Sequence, residues 1–317
     1  MEIIDCIVKK TVEAAGRIRP WVNSSPLIES KVDSQLLFKC ENLQETGSFK
    51  IRGATNKLLL AKQQGADHIY TASSGNHGIA CAQAAIWTDL KLNVILPQNV
   101  SASKIRLLKE LKVSIEKHGR EAGEAEQHAR NLAKNLKGCY VSPYNDIDII
   151  SGQATIALEL IESIKPNQKL NVFLSVGGGG MASGVGAILK NAQFNTKLWA
   201  VSAKNSCVLY NSLLEKRVVN VKQQLTIAEG VAGNIDSDTM TLRICEEVID
   251  KSVVCSEKEI LTAYKKLALQ ENLLVEGAAA LAYAGYIKEK SNIPQGELSV
   301  VVLCGSNMDH RQYFKFG

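Results

Sequence analysis

The stretch Thr46–Ala54 (TGSFKIRGA) carries a single lysine, Lys50, directly after a glycine, a serine and a phenylalanine. A glycine-serine pair is typical of a tight turn, so the pattern predicts that Lys50 lies in the first turn of a helix. A primary amine held in this way can form an imine with a carbonyl compound and can remove a nearby proton. Taken alone, the stretch also fits an ordinary surface lysine at the start of a helix.

A second stretch, Ser73–Gly78 (SSGNHG), lies between the apolar run His68–Thr71 and an alanine-rich helical segment. The first turn of a helix presents unpaired backbone N–H groups and the positive end of the helix dipole, which together favour an anion. The two serine hydroxyls and the asparagine amide add donors that suit a carboxylate. Serine and asparagine are also preferred capping residues, so an ordinary capped helix is the alternative.

A third stretch, Gly177–Met181 (GGGGM), follows the apolar run Val172–Val176 and opens another helical segment. Consecutive glycines allow the backbone to approach a phosphate group closely. The run lacks a glycine at the third position of the dinucleotide-binding fingerprint, and no Gly-Lys-Ser/Thr motif of a nucleoside-triphosphate loop occurs. The pattern therefore favours a single phosphate, with a purely structural turn as the alternative.

Near the end of the sequence, the apolar run Val300–Leu303 leads into Cys304–Asn307 (CGSN). Ligands of open α/β sheets bind beyond the carboxyl ends of the strands, so we expect Cys304 to lie near the other segments. A thiol at this point could face a ring nitrogen. An inert buried cysteine is the alternative interpretation.

Short apolar runs alternate with amphipathic segments along the chain, which predicts an α/β fold with a parallel sheet covered by helices on both faces. Strands are predicted at Leu36–Lys39, His68–Thr71, Leu92–Leu96, Val113–Glu116, Val172–Val176, Leu198–Val201 and Val300–Leu303. Helices are predicted at Ile4–Ile18, Ser48–Gln64, Asn76–Trp87, Ala102–Leu111, Ala122–Leu136, Gln153–Ile164, Met181–Asn191, Glu257–Gln270 and Ala278–Lys288.

The composition is that of a soluble globular protein, with 317 residues, 45% hydrophobic and 22% charged. The net charge is +5, but basic and acidic residues are interleaved, so neither a nucleic-acid nor a membrane partner is predicted. No apolar run approaches the roughly 18 residues that span a bilayer, and no signal-type segment follows the acidic N-terminus. The eight cysteines are widely spaced without a CxxC pair. This argues against a disulfide framework and a zinc site, so we predict a cytoplasmic protein without a metal site.

The four segments together resemble the fold-type II pyridoxal 5'-phosphate (PLP) enzymes, specifically the threonine/serine dehydratase and serine racemase group. The resemblance covers nearly the whole chain, in the order of the family. It extends to Ala15–Ile18, Ser25–Leu27, Ser151–Thr155, Ala228–Gly230 and Val275–Gly277. It implies a fold similar to the tryptophan synthase β subunit, with two open twisted α/β domains. We predict a large PLP-binding domain from residues 1–67 and 146–317, and a small mobile domain from residues 68–145.

The resemblance also implies a role for each matching residue. Lys50 would form the Schiff base with PLP and act as the catalytic base. The other cofactor-binding residues would be Phe49 and Gly230 on the ring faces, Asn76 at the ring hydroxyl, Cys304 at the ring nitrogen, and Gly177, Gly178, Gly179, Gly180 and Met181 at the phosphate. The substrate carboxylate would be received by Ser73, Ser74, Asn76 and His77. Glu276 would occupy the position of an acid near the ring or a cation site.

The activity implied is β-elimination from L-threonine or L-serine, giving an α-keto acid and ammonia. A thiol at the ring nitrogen holds a proton there less well than a carboxylate, which disfavours a long-lived carbanion and suits the loss of a β-leaving group. Racemisation of serine, dehydration of 3-hydroxyaspartate and non-catalytic PLP binding remain as alternatives, and Ser74 is the candidate second base for racemisation. The metal carboxylates of serine racemase are absent from Val201–Ser206. A homodimer is expected from the family.

Overall fold

The computed structural model describes residues 2–100, 105, 108–111, 113–165, 168–192 and 195–308. The larger of two sheets has six strands in the order β1 (Leu27–Glu29), β2 (Leu36–Lys39), β10 (Leu298–Val302), β7 (Leu170–Ser175), β8 (Thr196–Ala203) and β9 (Lys251–Cys255). All neighbouring strands are parallel except β1, which pairs antiparallel with β2 at the edge. Every residue of the central strand β7 is buried, as expected for a parallel strand covered on both faces.

The smaller sheet has four parallel strands in the order β5 (Ser114–Lys117), β4 (Lys91–Leu96), β3 (His68–Thr71) and β6 (Cys139–Tyr140). Its hydrophobic core also contains Ile51, Ala54 and Leu58, which come from the helix that begins at Lys50. This helix therefore packs against the small sheet while its N-terminus faces the end of the large one.

The helices are α1 (Glu2–Ile18), α2 (Lys50–Gln63), α3 (Asn76–Thr88), α4 (Ala122–Asn135), α5 (Ile147–Ser163), α6 (Gly180–Asn191), α7 (Val208–Glu215), α8 (Thr241–Val248), α9 (Glu257–Lys266) and α10 (Gly277–Glu289). Short 3₁₀ turns lie at Glu41–Leu43, Glu229–Val231 and Lys290–Asn292, and a π-helical turn at Leu267–Glu271 extends α9. Within the ranges described, every helix is too short or too polar to traverse a lipid bilayer.

The α/β class and the parallel sheets confirm the sequence-based prediction, and all seven predicted strands are present with small shifts of their ends. The prediction missed β1, β6, β9, α7 and α8. It also placed the start of α5 too late. Asp146 caps this helix by accepting hydrogen bonds from the backbone N–H groups of Asp148 and Ile149. Half of the predicted helix at 102–111, residues 102–104, 106 and 107, lies outside the described residues.

A buried ion network fixes α2 to the large sheet. The Arg52 guanidinium is 1% exposed and donates to Glu41 through Nε and Nη2, both at 2.8 Å. It also donates to Glu159 through Nη1 and Nη2, at 2.6 and 2.9 Å, and to Thr155 Oγ1 at 3.1 Å. All five N–H donors of Arg52 are thus paired. Lys39 donates a further bond to Glu159, so the network contains two positive and two negative charges.

Candidate active site

Lys50 lies in the first turn of α2, as predicted, although the helix begins at Lys50 and not at Ser48. The turn before it is held by main-chain hydrogen bonds. Gly47 has a φ of +69°, and a Cβ at this position would lie 2.5 Å from Asn307 Oδ1. Ser48 forms an antiparallel bridge with Gly305, and the Phe49 N–H donates to the carbonyl of Cys304 at 3.0 Å. The lysine is therefore anchored to the segment that follows β10.

The Lys50 amine is half-buried and donates to the carbonyl oxygen of Pro143 at 2.7 Å. Its nitrogen also lies 5.1 Å from the centre of the Phe49 ring. Burial lowers the pKa of Lys50 to about 8, while the nearby Cys304, Cys81 and Glu276 act in the opposite direction. About a tenth of the amine is therefore neutral at pH 7, and both imine formation and proton abstraction require the neutral form.

The helix α3 begins at Asn76 with Gly75 as its N-cap, and no side chain caps it. The alternative of an ordinary capped helix is therefore wrong. Gly78 is required by close packing, because a Cβ there would lie 2.0 Å from the Ser73 carbonyl oxygen. Ser73 and Ser74 are half-exposed beside this open helix start. The arrangement leaves backbone N–H groups and two hydroxyls available to an anion.

The His77 imidazole is turned away from this anion site. It is 3% exposed, and its Nε2 lies 3.1 Å from the carbonyl oxygen of Val141 and 3.5 Å from Cys81 Sγ. Burial, and then the positive charge of Lys50, lower the pKa of His77 to about 3. The ring is therefore a neutral structural group, and only the backbone N–H of His77 remains suited to a substrate carboxylate.

Asn76 links the start of α3 to the start of α10 through Glu276. Its Nδ2 lies 2.9 Å from each carboxylate oxygen of Glu276, and its Oδ1 accepts from Asn307 Nδ2 at 2.9 Å. Glu276 is 6% exposed, and burial raises its pKa to about 7 although the Asn76 hydrogen bond opposes this. The sequence indicated an acid near this position but not its contact with Asn76.

Cys304 lies beside the same carboxylate. Its Sγ is 3.9 Å from Glu276 Oε1 and accepts a hydrogen bond from Ser175 Oγ at 3.5 Å. Burial, reinforced by Glu276, raises the pKa of Cys304 well above its ordinary value, so the thiol stays protonated. Gly230 also faces the carboxylate, because a Cβ there would lie 2.8 Å from Glu276 Oε1. The thiol thus has an acidic neighbour that the sequence did not predict to be in contact with it.

The tetraglycine run turns from β7 into α6, with Gly179 at a φ of +83° as the N-cap. A Cβ on Gly178 would lie 2.4 Å from the Tyr144 ring, and one on Gly177 would lie 2.8 Å from the Val231 carbonyl oxygen. Within the described part of the chain, the backbone N–H groups of Gly177, Gly178 and Gly179 donate to no protein acceptor. These free donors at a helix start, together with the lysine, fit the phosphate and the carbonyl of PLP.

Tyr144 and its neighbours were not identified from the sequence. The Tyr144 hydroxyl accepts from the Asp236 N–H at 2.7 Å, and the Asp236 carboxylate accepts from Asn145 at 2.9 Å and from Arg130 at 3.0 Å. Arg130 belongs to α4, and its guanidinium lies 4.4 Å from the centre of the Tyr140 ring. The ion pair between Arg130 and Asp236 joins α4 to the segment that precedes α8.

The chain is similar to known proteins over most of its length. The sequence profile of the pyridoxal-phosphate dependent enzymes matches residues 18–305. The L-threonine ammonia-lyase of Thermotoga maritima is 31% identical over 303 residues, covering 94% of this chain and 74% of that enzyme. The L-threo-3-hydroxyaspartate ammonia-lyase of Saccharomyces cerevisiae is 29% identical over 308 residues, with 95% and 93% coverage. Maize serine racemase superposes with a TM-score of 0.88 at 26% identity, with 97% and 95% coverage.

The matched region contains every segment that the geometry brings together at the ends of the two sheets, from the lysine to the buried thiol. The chain therefore belongs to the family of pyridoxal-phosphate dependent enzymes.

Proposed function

We propose that this enzyme eliminates water from L-threonine or L-serine and releases an α-keto acid and ammonia. The observation that carries the proposal is the position of Lys50. Its amine has a pKa lowered to about 8 and lies over Phe49, and its own turn is bonded to Cys304. The similarity to threonine ammonia-lyases supports the same choice of substrate.

The residues that would hold PLP come from five separate segments. Lys50 would bind its carbonyl carbon, and the N–H groups of Gly177–Met181 would bind its phosphate. Phe49 and Gly230 would flank the ring, and Asn76 and Cys304 would meet its hydroxyl and nitrogen. When bound, PLP withdraws electrons from the substrate and so makes its Cα–H acidic.

The protein groups would bind the substrate, accept its Cα proton and exclude water. The N-terminus of α3, with Ser73, Ser74 and Asn76, would hold the substrate carboxylate and so fix the orientation of Cα. Lys50 Nζ would accept the Cα proton, because burial keeps part of the amine neutral near pH 7. The small-sheet unit, residues 68–145, would close over the substrate and exclude water.

The choice of elimination over racemisation rests on the two groups at the ring-nitrogen position. Cys304 stays protonated, and Glu276 has a pKa raised to about 7. Neither supplies a permanent negative charge at neutral pH, and such a charge would stabilise a long-lived carbanion. Loss of the β-hydroxyl removes the developing charge at once, so this environment favours elimination.

An α-keto-acid and ammonia assay across L-threonine, L-serine and 3-hydroxyaspartate, with PLP present, tests the proposal. We expect both products in equal amounts from L-threonine or L-serine, and none from a Lys50→Ala variant. Borohydride reduction of the holoenzyme should attach the cofactor to Lys50. Keto-acid formation by Lys50→Ala, or an unlabelled Lys50 after reduction, would contradict the assignment.

Serine racemisation is the second candidate, favoured by the similarity to maize serine racemase and by the half-exposed Ser74 hydroxyl. Chiral analysis of the serine recovered during turnover separates it from elimination. If D-serine accumulates faster than pyruvate, racemisation is the main reaction. A Ser74→Ala variant should then lose racemisation while retaining elimination.

We further propose a cytoplasmic homodimer. All eight cysteines are free thiols, which is typical of a reducing compartment. The dimer is a family expectation, and light scattering of the purified holoenzyme would test it. A mass near 34.5 kDa, the mass of one chain, would contradict it.

A further inference from the structure

Two imidazoles and one carboxylate meet on the small sheet, among residues that the proposed active site does not use. Glu116 lies in the edge strand β5, His118 follows this strand directly, and His128 lies in α4. The His118 and His128 rings are stacked, with centroids 3.8 Å apart and planes 5° from parallel. His128 Nε2 lies 2.7 Å from Glu116 Oε1. One ligand atom from each of the three residues lies within 4.8 Å of the other two.

The local sequence explains why these side chains converge. Residues two apart on a strand point to the same face, so Glu116 and His118 project together while Lys117 projects to the other side. Gly119, with a φ of +70°, then turns the chain toward α4. The helix starts at a capping box formed by Glu121 and Glu124, which brings His128 back over the strand.

The backbone at both histidines is fixed by hydrogen bonds. The His118 N–H donates to the Leu96 carbonyl oxygen at 2.8 Å, and β5 pairs with β4 through Glu116 and Ile95. His128 is in the interior of a 14-residue helix. Side-chain rotation alone would therefore bring the three ligand atoms closer to one another. The exposed positions of Glu116 and His118 permit such rotation.

The donor set matches a transition-metal ion. Zinc binds imidazole nitrogen and carboxylate oxygen at about 2.0–2.2 Å, which places tetrahedral ligand atoms roughly 3.4 Å apart. A neutral imidazole offers one nitrogen lone pair to a metal ion, and the stacked rings bring one nitrogen of each histidine close to the Glu116 carboxylate. The Glu116 carboxylate supplies negative charge directly at the rings.

We propose that Glu116, His118 and His128 bind one divalent zinc-type ion, with a fourth coordination position left to water. The ion would link the edge strand β5 to α4 and so stabilise the small-sheet unit. The sequence predicted no metal site, because the three ligands belong to a strand, a turn and a helix without a known motif. The proposal is independent of the cofactor and of the reaction at Lys50.

Calorimetric titration of the dialysed holoenzyme with ZnCl2 tests the site. We expect one ion per chain in the wild type, and at least about tenfold weaker binding after His118→Ala or His128→Ala, since each removes one of three ligands. His68→Ala is the matched control, because His68 lies in β3 of the same sheet outside the cluster. This variant should bind like the wild type.

Two results would overturn the proposal. One is the absence of stoichiometric binding to the wild type. The other is equal binding by the wild type and both histidine variants, which would assign the zinc to exposed thiols such as Cys6. The absorbance of bound PLP and the far-ultraviolet circular dichroism should be unchanged in each variant, so that loss of zinc is not loss of fold. A rise in Tm on adding zinc, absent from His128→Ala, provides a second readout.

Discussion

Replacing Arg52 with methionine should destabilise the protein severely, because it breaks the buried ion network under the lysine-bearing helix. Glu41 is fully buried, and among the described residues it would keep only the Ser25 hydroxyl and the Gln44 amide as hydrogen-bond partners, the latter at 3.4 Å. Removing one partner of a buried ion pair costs about 3–5 kcal/mol, since the remaining charge has no compensation. This is a large part of the roughly 5–15 kcal/mol that stabilises a typical protein.

The free energy of unfolding in urea, followed by tryptophan fluorescence and circular dichroism, measures the loss. Glu41→Gln and the double variant complete the cycle. If the loss reflects an uncompensated carboxylate, the double variant should cost less than the sum of the single ones, by about 0.5–3 kcal/mol. Lys62→Met is the control, because Lys62 is an exposed residue near the end of the same helix and should cost about 1 kcal/mol or less.

A loss below about 1 kcal/mol for Arg52→Met would refute this reasoning, since a buried and unpaired Glu41 cannot be so well tolerated. Additive single and double variants would also refute it, because residues in direct contact should couple.

Three further outcomes follow from the site. Cys304→Asp should lower the ratio of keto acid to racemised substrate, as measured by chiral chromatography, and an unchanged ratio would contradict the role given to the ring-nitrogen position. Glu276 has a folded pKa of about 7 against an ordinary value of 4.5, so its contribution to stability is present below pH 4.5 and is lost as the pH rises through 7. In the cofactor-free protein, the free energy of unfolding of Glu276→Gln should therefore rise relative to that of the wild type by up to about 3 kcal/mol between pH 4.5 and pH 8. A difference between the two proteins that does not change with pH would exclude this explanation. Arg130→Met, which removes the bond to Asp236, should raise KM by at most about fivefold with little change in kcat, in line with a partly exposed ion pair. Arg130→Lys should recover part of the loss, and an effect on kcat alone would argue that the Arg130–Asp236 ion pair does not help to hold the small-sheet unit over the substrate.

The segments around Lys50, Asn76 and Gly179 could be located from the sequence because each has a glycine-containing turn directly before a helix. Lys50 at a helix start, the junction before Asn76 and the turn at Gly179 all depend on local backbone geometry, which short-range patterns report well. The central strands were also predictable, because β7 is buried on both faces and reads as a continuous apolar run.

The contacts between distant segments could not be predicted in this way. Asn76 and Glu276 are 200 residues apart, and no periodicity indicates that the amide would bind both carboxylate oxygens. The orientation of His77 was equally hidden, because its position at a helix start suits both a ligand contact and a buried bond to Val141. Strands β1 and β6 have three and two residues, too few for a pattern to stand out.

The bonds from the lysine turn to the segment after β10 have a mechanical consequence. Because Phe49 and Ser48 are bonded to Cys304 and Gly305, thermal displacement of this strand end would carry the amine and the thiol in the same direction. The distance between the amine and the thiol would then fluctuate less than the distance of either group from α3. Variation in the geometry of the site would arise mainly from α3, and engineering of substrate range could begin there without disturbing the amine.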